Sequence, residues 1–282
     1  MFTTSHGNIF ELEVDVADSS KLIYIGNFNG LYVYSDDLTA DLAIVSGIFT
    51  LPCSFIQMSC TEIILADSFQ RCLRKIDRST GDVSEFSGVC KIFYLTEYTW
   101  PTEVARDKMN SSQLLVADGK FVRAVDINSG NSSMFTNSFI WKKNIWDMAQ
   151  TENGDIYAMT RTYIFKIDYS SRDVALVAGS SANSEPKDGS LYESRFENLM
   201  GIELITEHAL LAISSSEPVL RLVDMMTDKV TSIDVGFGLP ANCKPYSFRT
   251  LHDSLYFGCS DTSSIIKFTC RYSLSVYTFE SW

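Results

Sequence analysis

The polar and apolar positions between Asp155 and Ile202 spell out one complete unit: IYAMTRTYIFKID, a turn, DVALVAG, a long loop holding DGSLYESRF, then NLMGIEL. Alternating or continuous apolar runs separated by a few turn residues predict short antiparallel strands, and nothing here has helical spacing. The unit recurs. IILADSFQRCLRKID at 63–77, followed by STGDVSEFSG, is the closest copy, and looser copies stand at 22–35, 114–126, 210–224 and 255–269. The apolar residues that open the third strand are Leu31, Leu73, Val122, Ile164, Leu220 and Ile265, at intervals of 42, 49, 42, 56 and 45 residues. Such a period is typical of four-stranded propeller blades. The pattern therefore predicts an all-β chain, a six-bladed β-propeller of four-stranded antiparallel blades at about 9–46, 53–87, 102–136, 145–178, 200–235 and 246–279. The outermost strand of the sixth blade is expected at 274–279. For ring closure the pattern leaves two options: an added outer strand from residues 1–6, or side-chain packing between blades 1 and 6.

LADSFQRCLRKID with STGDVSEFSG after it resembles the NHL-repeat family of six-bladed β-propellers. The matching features are an aspartate closing the second strand, a turn, an Ile/Leu-Arg pair in the third strand and a Gly ending the fourth. DGSLYESRFENLMGI is similar to the loop that many such repeats place before the next innermost strand. By spacing the resemblance covers nearly the whole chain, and the good motif matches are 53–88 and 145–202. It implies a single NHL-like propeller domain over 1–282, since six blades consume all 282 residues.

Antiparallel order sorts the connections. Turns between first and second strands and between third and fourth share one face of the disc. The connections between second and third strands, together with the loops between blades, share the other. Binding residues concentrate on loops carried by a rigid scaffold, and the longest loops here, 88–101 and 179–199, belong to the second face. Aromatic and basic residues on that face are candidate anchors for a protein or peptide partner: Tyr94, Tyr98, Trp100, Phe139, Trp141, Lys142, Lys143, Tyr192 and Tyr246. The alternative is that they plug the tops of the blades.

Aligning the innermost strands gives one small or acidic column, Glu11, Ser54, Glu103, Asp147, Gly201 and Ser247, where the NHL pattern favours Gly. Three carboxylates with hydroxyls between them would suit calcium, which takes six to eight oxygen ligands. Glu11, Glu103 and Asp147 are thus candidate metal ligands, as in six-bladed hydrolases of the gluconolactonase and paraoxonase type. The competing expectation is that these acids bind backbone amides and water, with no cofactor. A zinc lyase of the amidating type needs clustered histidines, and His6, His208 and His252 do not form such a set. Without a G-x-S-x-G elbow or a Cys-His pair, nucleophilic catalysis has no support. Asp67 and Asp118 are expected to accept hydrogen bonds from the following loops, and Arg74, Arg123 and Arg221 to pack at blade seams with a paired carbonyl or carboxylate.

A formal net charge of −12 disfavours nucleic acid and anionic membrane as partners. The charge divides unevenly. The face of the short turns carries sixteen acids, among them Asp77, Asp126, Asp168 and Asp224 at third-strand ends, against Arg78, Lys108, Arg172 and Lys229. No apolar run reaches 18 residues, and the first residues lack the basic start and apolar core of a signal peptide, which favours a cytoplasmic monomer unless the chain is an excised extracellular domain. The seven cysteines have no CxxC and no regular spacing. They are expected to be free thiols of a reduced protein, with up to three bridges as the extracellular alternative. Two sequons, at Asn110 and Asn131, fit that alternative but are no more than chance supplies.

Overall fold

Every second strand is apolar through its middle on both faces, and the fold accounts for it. In the computed structural model the described residues are 2–3, 9–17, 21–26, 30–34, 42–46, 49–90, 97–137, 143–180, 185–215, 219–234, 243–251, 254–259 and 264–269. They form six four-stranded antiparallel sheets arranged as a β-propeller, with no helix among the described residues.

A two-residue strand, β1, covers Phe2–Thr3. Blade 1 is β2 to β5 (Ile9–Val14, Leu22–Gly26, Gly30–Tyr34, Leu42–Ser46). Blade 2 is β6 to β9 (Pro52–Gln57, Glu62–Asp67, Cys72–Asp77, Val83–Ser87). Blade 3 is β10 to β13 (Pro101–Arg106, Gln113–Asp118, Phe121–Asp126, Ser132–Met134). Blade 4 is β14 to β17 (Asp147–Gln150, Ile156–Met159, Ile164–Ile167, Val174–Ala178). Blade 5 is β18 to β21 (Leu199–Thr206, Ala209–Ser214, Val219–Asp224, Lys229–Asp234). Blade 6 contributes β22 to β24 (Pro245–Leu251, Ser254–Cys259, Ser264–Thr269).

The outer edge of β24 is paired by β1, Phe2 opposite Ile265 and Thr3 opposite Ser264. The fold uses both closure options: β1 takes the outermost place in blade 6, and Leu12, Leu22, Tyr24 and Tyr32 of blade 1 pack against Ile265 and Tyr256 of blade 6. The expected strand at 274–279 lies outside the described residues. First strands follow one another around the axis: β2 touches β6 and β22, β6 touches β10, β10 touches β14, β14 touches β18, and β18 touches β22.

The core consists of six apolar clusters, one at each seam between neighbouring blades. Because side chains alternate along a strand, each second strand feeds two seams. Ile63 and Leu65 of β7 pack toward blade 1, whereas Ile64 and Ala66 pack toward blade 3. Leu210 and Ala212 of β19 face blade 4, and Leu211 and Ile213 face blade 6. A strand buried on both faces reads as a continuous apolar run.

Third strands end in a repeated turn. Asp77, Asp126, Asp168 and Asp224 each accept from backbone N–H groups two and three residues on. Four residues on, the backbone turns left-handed at Gly81, Gly130, Arg172 and Asp228. At Gly130 a side chain is excluded by space as well, since a Cβ would lie 2.0 Å from the Phe86 carbonyl oxygen.

Candidate functional site

The acidic column survives as a structural equivalence. In five innermost strands the register shifts just before it, so that Glu11, Ser54, Glu103, Gly201 and Ser247 pair with Ile25, Ala66, Ala117, Ile213 and Gly258. Asp147 opens β14 opposite Met159 in the sixth. All three acids of the column are buried. Glu11, Ser54 and Asp147 of this column share one task, capping the inner backbone edge of their own or the next blade.

Ser54 Oγ accepts from Val104 N of the next blade at 3.3 Å, and Asp147 Oδ2 accepts from Ile202 N of the next blade at 2.8 Å. The other oxygen of Asp147 takes the N–H of Met148 at 2.7 Å, and Glu11 Oε1 takes that of Leu12 at 3.1 Å. Gly201 is small for a reason: a Cβ there would stand 3.2 Å from the Phe248 ring and 3.5 Å from Asp147 Oδ2. The hydroxyl of Ser247 is buried with no hydrogen-bond partner, the N–H one place beyond the column in the following blade being already held by Glu11.

Two residues further along the same strands lies a second layer: Glu13, Ile56, Ala105, Ala149, Glu203 and Arg249. Its charged members come from the three consecutive blades 5, 6 and 1. Arg249 Nη2 reaches Glu11 Oε1 at 2.8 Å, and Nη1 donates to the Phe248 carbonyl at 3.1 Å. Glu203 accepts from Thr250 N at 3.0 and 2.8 Å and from the Thr250 hydroxyl. Glu13 accepts from Gln57 Nε2 at 3.3 Å. Sequence reasoning missed Glu13, Glu203 and Arg249, although counting two residues on from the first column finds them.

Burial dominates the electrostatics. It pushes the Glu11 carboxyl from its ordinary 4.5 up to about 8, with Arg249 pulling the other way. Glu103 is driven well above the usual carboxylate range by burial and then by its neighbours Asp147 and Glu11. Asp147 and Glu203 are also raised by burial, against the pull of Arg249. The guanidinium is thus the counter-charge of this axial cluster. Among the described residues no three His, Cys, Asp or Glu side chains converge as a metal site requires.

The aspartates that close second strands fasten the loops of the other face. Asp118 accepts from Thr99 N and Trp100 N at 2.7 and 2.6 Å and pairs with Arg123 Nε at 2.7 Å. Asp67 accepts from Leu51 N at 3.3 Å and pairs with Arg74 Nε at 3.2 Å. Blade 5 has Ser214 at this position, and Arg221 pairs instead with Asp188 at 2.9 Å. Asp188 also holds Ser232 through its N–H and hydroxyl, each at 2.7 Å, while Gly189 exchanges backbone bonds with Val230. Around Asp188 and Gly189 this connection therefore lies along the outer strand of blade 5.

Four cysteines are bridged, which corrects the expectation of free thiols: Cys72 with Cys90, and Cys243 with Cys259. Both bridges lie on the long-loop face, where each ties an inter-blade loop to the connection between a second and a third strand. Spacing alone could not show this, because pairing depends on blade phase. Cys53 is a thiol whose burial pushes it up to about 12, and Cys60 is exposed.

The candidate anchors divide. Tyr98 is buried, with its hydroxyl 2.7 Å from Ser87 Oγ, and plugs the seam between blades 2 and 3. Tyr246 is half-buried against the clusters of two seams, blades 5–6 and blades 1–2, and Trp100 is half-buried with its indole N–H covered and unpartnered. Lys143 and Tyr192 are exposed, Tyr192 at 64%. Tyr94, Phe139, Trp141 and Lys142 lie outside the described residues.

No family model and no curated protein matches the chain. Solved structures do match. An auxiliary nutrient binding protein from Bacteroides thetaiotaomicron superposes with a TM-score of 0.72 at 12% identity, over 94% of this chain and 69% of that one. The chain in a nidogen/laminin complex matches with a TM-score of 0.63 at 9% identity, over 86% of each chain. A virginiamycin B lyase from Staphylococcus aureus matches with a TM-score of 0.59 at 10% identity, over 98% of this chain and 89% of that one. At these identities the likeness is one of fold.

Proposed function

We propose that the chain is an NHL-type propeller acting as a non-enzymatic scaffold that binds a protein or peptide through its long-loop face. The observation that carries this reading is the fastening of that face. Both disulfides and the Asp67 and Asp118 clamps secure loops there, and ordering a loop before it meets its partner removes an entropic cost of association. Propellers of nutrient-binding and nidogen/laminin type are compatible neighbours. The two bridges favour an oxidising compartment over the cytoplasm.

A calcium-dependent hydrolase in the channel is less well supported. Glu11 and Asp147 already direct oxygens at backbone N–H groups and at Arg249. The axial cluster closes on itself.

The test is affinity capture with the wild-type chain, followed by titration of the captured protein against two variants. Reversing Lys142 and Lys143, in the loop leading to blade 4, should weaken binding in a salt-dependent way. Neutralising Asp36 and Asp37, which lie outside the described residues between β4 and β5 in sequence, should leave it nearly unchanged. The opposite pattern would move the binding site to the acidic face.

A further inference from the structure

We propose that Asn110 and Asn131 are N-glycosylation sites, so that blade 3 carries two glycans on one face of the disc while the disulfide-bearing face stays bare. The chemistry is that of an Asn-x-Ser/Thr acceptor, which requires an exposed carboxamide and a hydroxyl two residues on. Asn110–Ser111–Ser112 lies in the turn between β10 and β11, and Asn131–Ser132–Ser133 enters β13, the short outermost strand of the same blade. Both asparagines are exposed. By antiparallel order both turns belong to the face opposite the two bridges. They are also adjacent, since Ile127 N donates to the Ser112 carbonyl at 3.0 Å.

The geometry at Asn110 suits the reaction. Ser112 donates to Asn110 Oδ1 from its hydroxyl at 2.8 Å and from its N–H at 3.1 Å, so sequon hydroxyl and carboxamide are already joined in a tight turn. Asn110 Nδ2 gives one proton to Gln113 Oε1 at 3.1 Å at the surface, a bond that water replaces easily. At Asn131 the backbone is held by its own N–H to Ser129 Oγ at 3.3 Å and by its carbonyl to Asp126 N at 3.0 Å. Ser133 beside it is exposed.

A second observation makes these more than chance motifs. Disulfides such as Cys72–Cys90 and Cys243–Cys259 form in the secretory compartments, where Asn acceptors meet their donor. The donor is an oligosaccharide linked to a polyprenyl diphosphate. The carboxamide nitrogen attacks the anomeric carbon of the first sugar, a C–N bond forms, and the bond from that carbon to the diphosphate oxygen breaks. The diphosphate leaves with the electron pair, and one amide proton passes to a carboxylate of the transferase. No oxidation state changes.

The test is secretion of the chain from eukaryotic cells behind a leader peptide, read by intact mass and by gel mobility before and after peptide N-glycosidase. The expected result is two glycans: N110Q and N131Q each lose one and the double variant loses both. S112A loses the Asn110 glycan, whereas S112T keeps it. This last pair separates sequon recognition from a folding defect at the turn. A secreted, disulfide-bonded chain with the mass of the bare polypeptide would overturn the proposal, and occupancy at one site alone would overturn the assignment of the other.

Discussion

Arg249 Nη2 of the last blade stands 2.8 Å from Glu11 Oε1 of the first, so the ends of the repeat are joined by an ion pair beside the axis. On the outer rim the same two blades are joined by β1 on β24. The ring is therefore closed on the rim by backbone pairing and near the axis by charge, and the inner closure neutralises part of a cluster of five carboxyls, with Glu11, Glu103 and Asp147 buried and Glu13 and Glu203 half-buried.

R249M is expected to destabilise the fold by about 3–5 kcal/mol near pH 8, the usual result of removing one partner from a buried pair. R249M/E11Q should recover a part of that loss. Urea unfolding of the two variants and of E11Q gives the coupling energy, and additive effects would mean that the pair does not interact.

Stability should fall as pH rises from about 5 to about 8. Glu11 has a folded-state value of about 8 against an ordinary 4.5, and Glu103 and Asp147 are also raised. The native state then binds more protons than the unfolded chain across that window, which makes the slope of stability with pH negative. The benefit is complete below the ordinary carboxylate range and is lost on passing through the raised values. Thermal unfolding at pH 5, 6.5 and 8 checks this, and E103Q should flatten the profile.

D118A should cost roughly 3–5 kcal/mol, since it leaves the N–H groups of Thr99 and Trp100 and the Arg123 guanidinium without their shared acceptor. K108A is the control. Its ion pair with Glu152 is solvent-exposed, and the change should stay within about 0.5 kcal/mol.

Replacing Cys72 and Cys90 together by serine should lower stability by about 3 kcal/mol, as expected for a bridge of this sequence separation, 18 residues. If the loop face is the binding face, partner affinity should fall with it. A thiol-labelling reagent applied to the native protein should modify the exposed Cys60 much faster than the half-buried Cys53, whose thiol is pushed up to about 12.

Where they fall on described residues, blade boundaries were legible to within about two residues because second strands are apolar on both faces and four third strands end in Asp-led turns. The column Glu11, Glu103, Asp147 was legible for the same reason, strict alternation along an inner strand. What it does was not legible. Whether a buried acid holds a metal or caps an N–H depends on the register of the next blade and on Arg249, which lies about 240 residues from Glu11 in sequence. Tyr98 read as an anchor because aromatic residues in loops look alike until burial is known. The placing of Asp188 and Gly189 against the outer strand of blade 5 depends on Asp188 finding Arg221 across 33 residues, a pairing that no local pattern encodes.

The pairing of Phe2–Thr3 with Ser264 and Ile265 also orders events during synthesis. Five blades can assemble behind the emerging chain, each settling against the one before. The first strand has no partner until β24 has been made. Until then the unmatched edges of blade 1 and of the newest blade are open to pairing with another chain. Closing the ring thus waits on the pairing with the greatest sequence separation in the fold, the kind of contact that forms slowly, and crowding by sister chains is the hazard meanwhile.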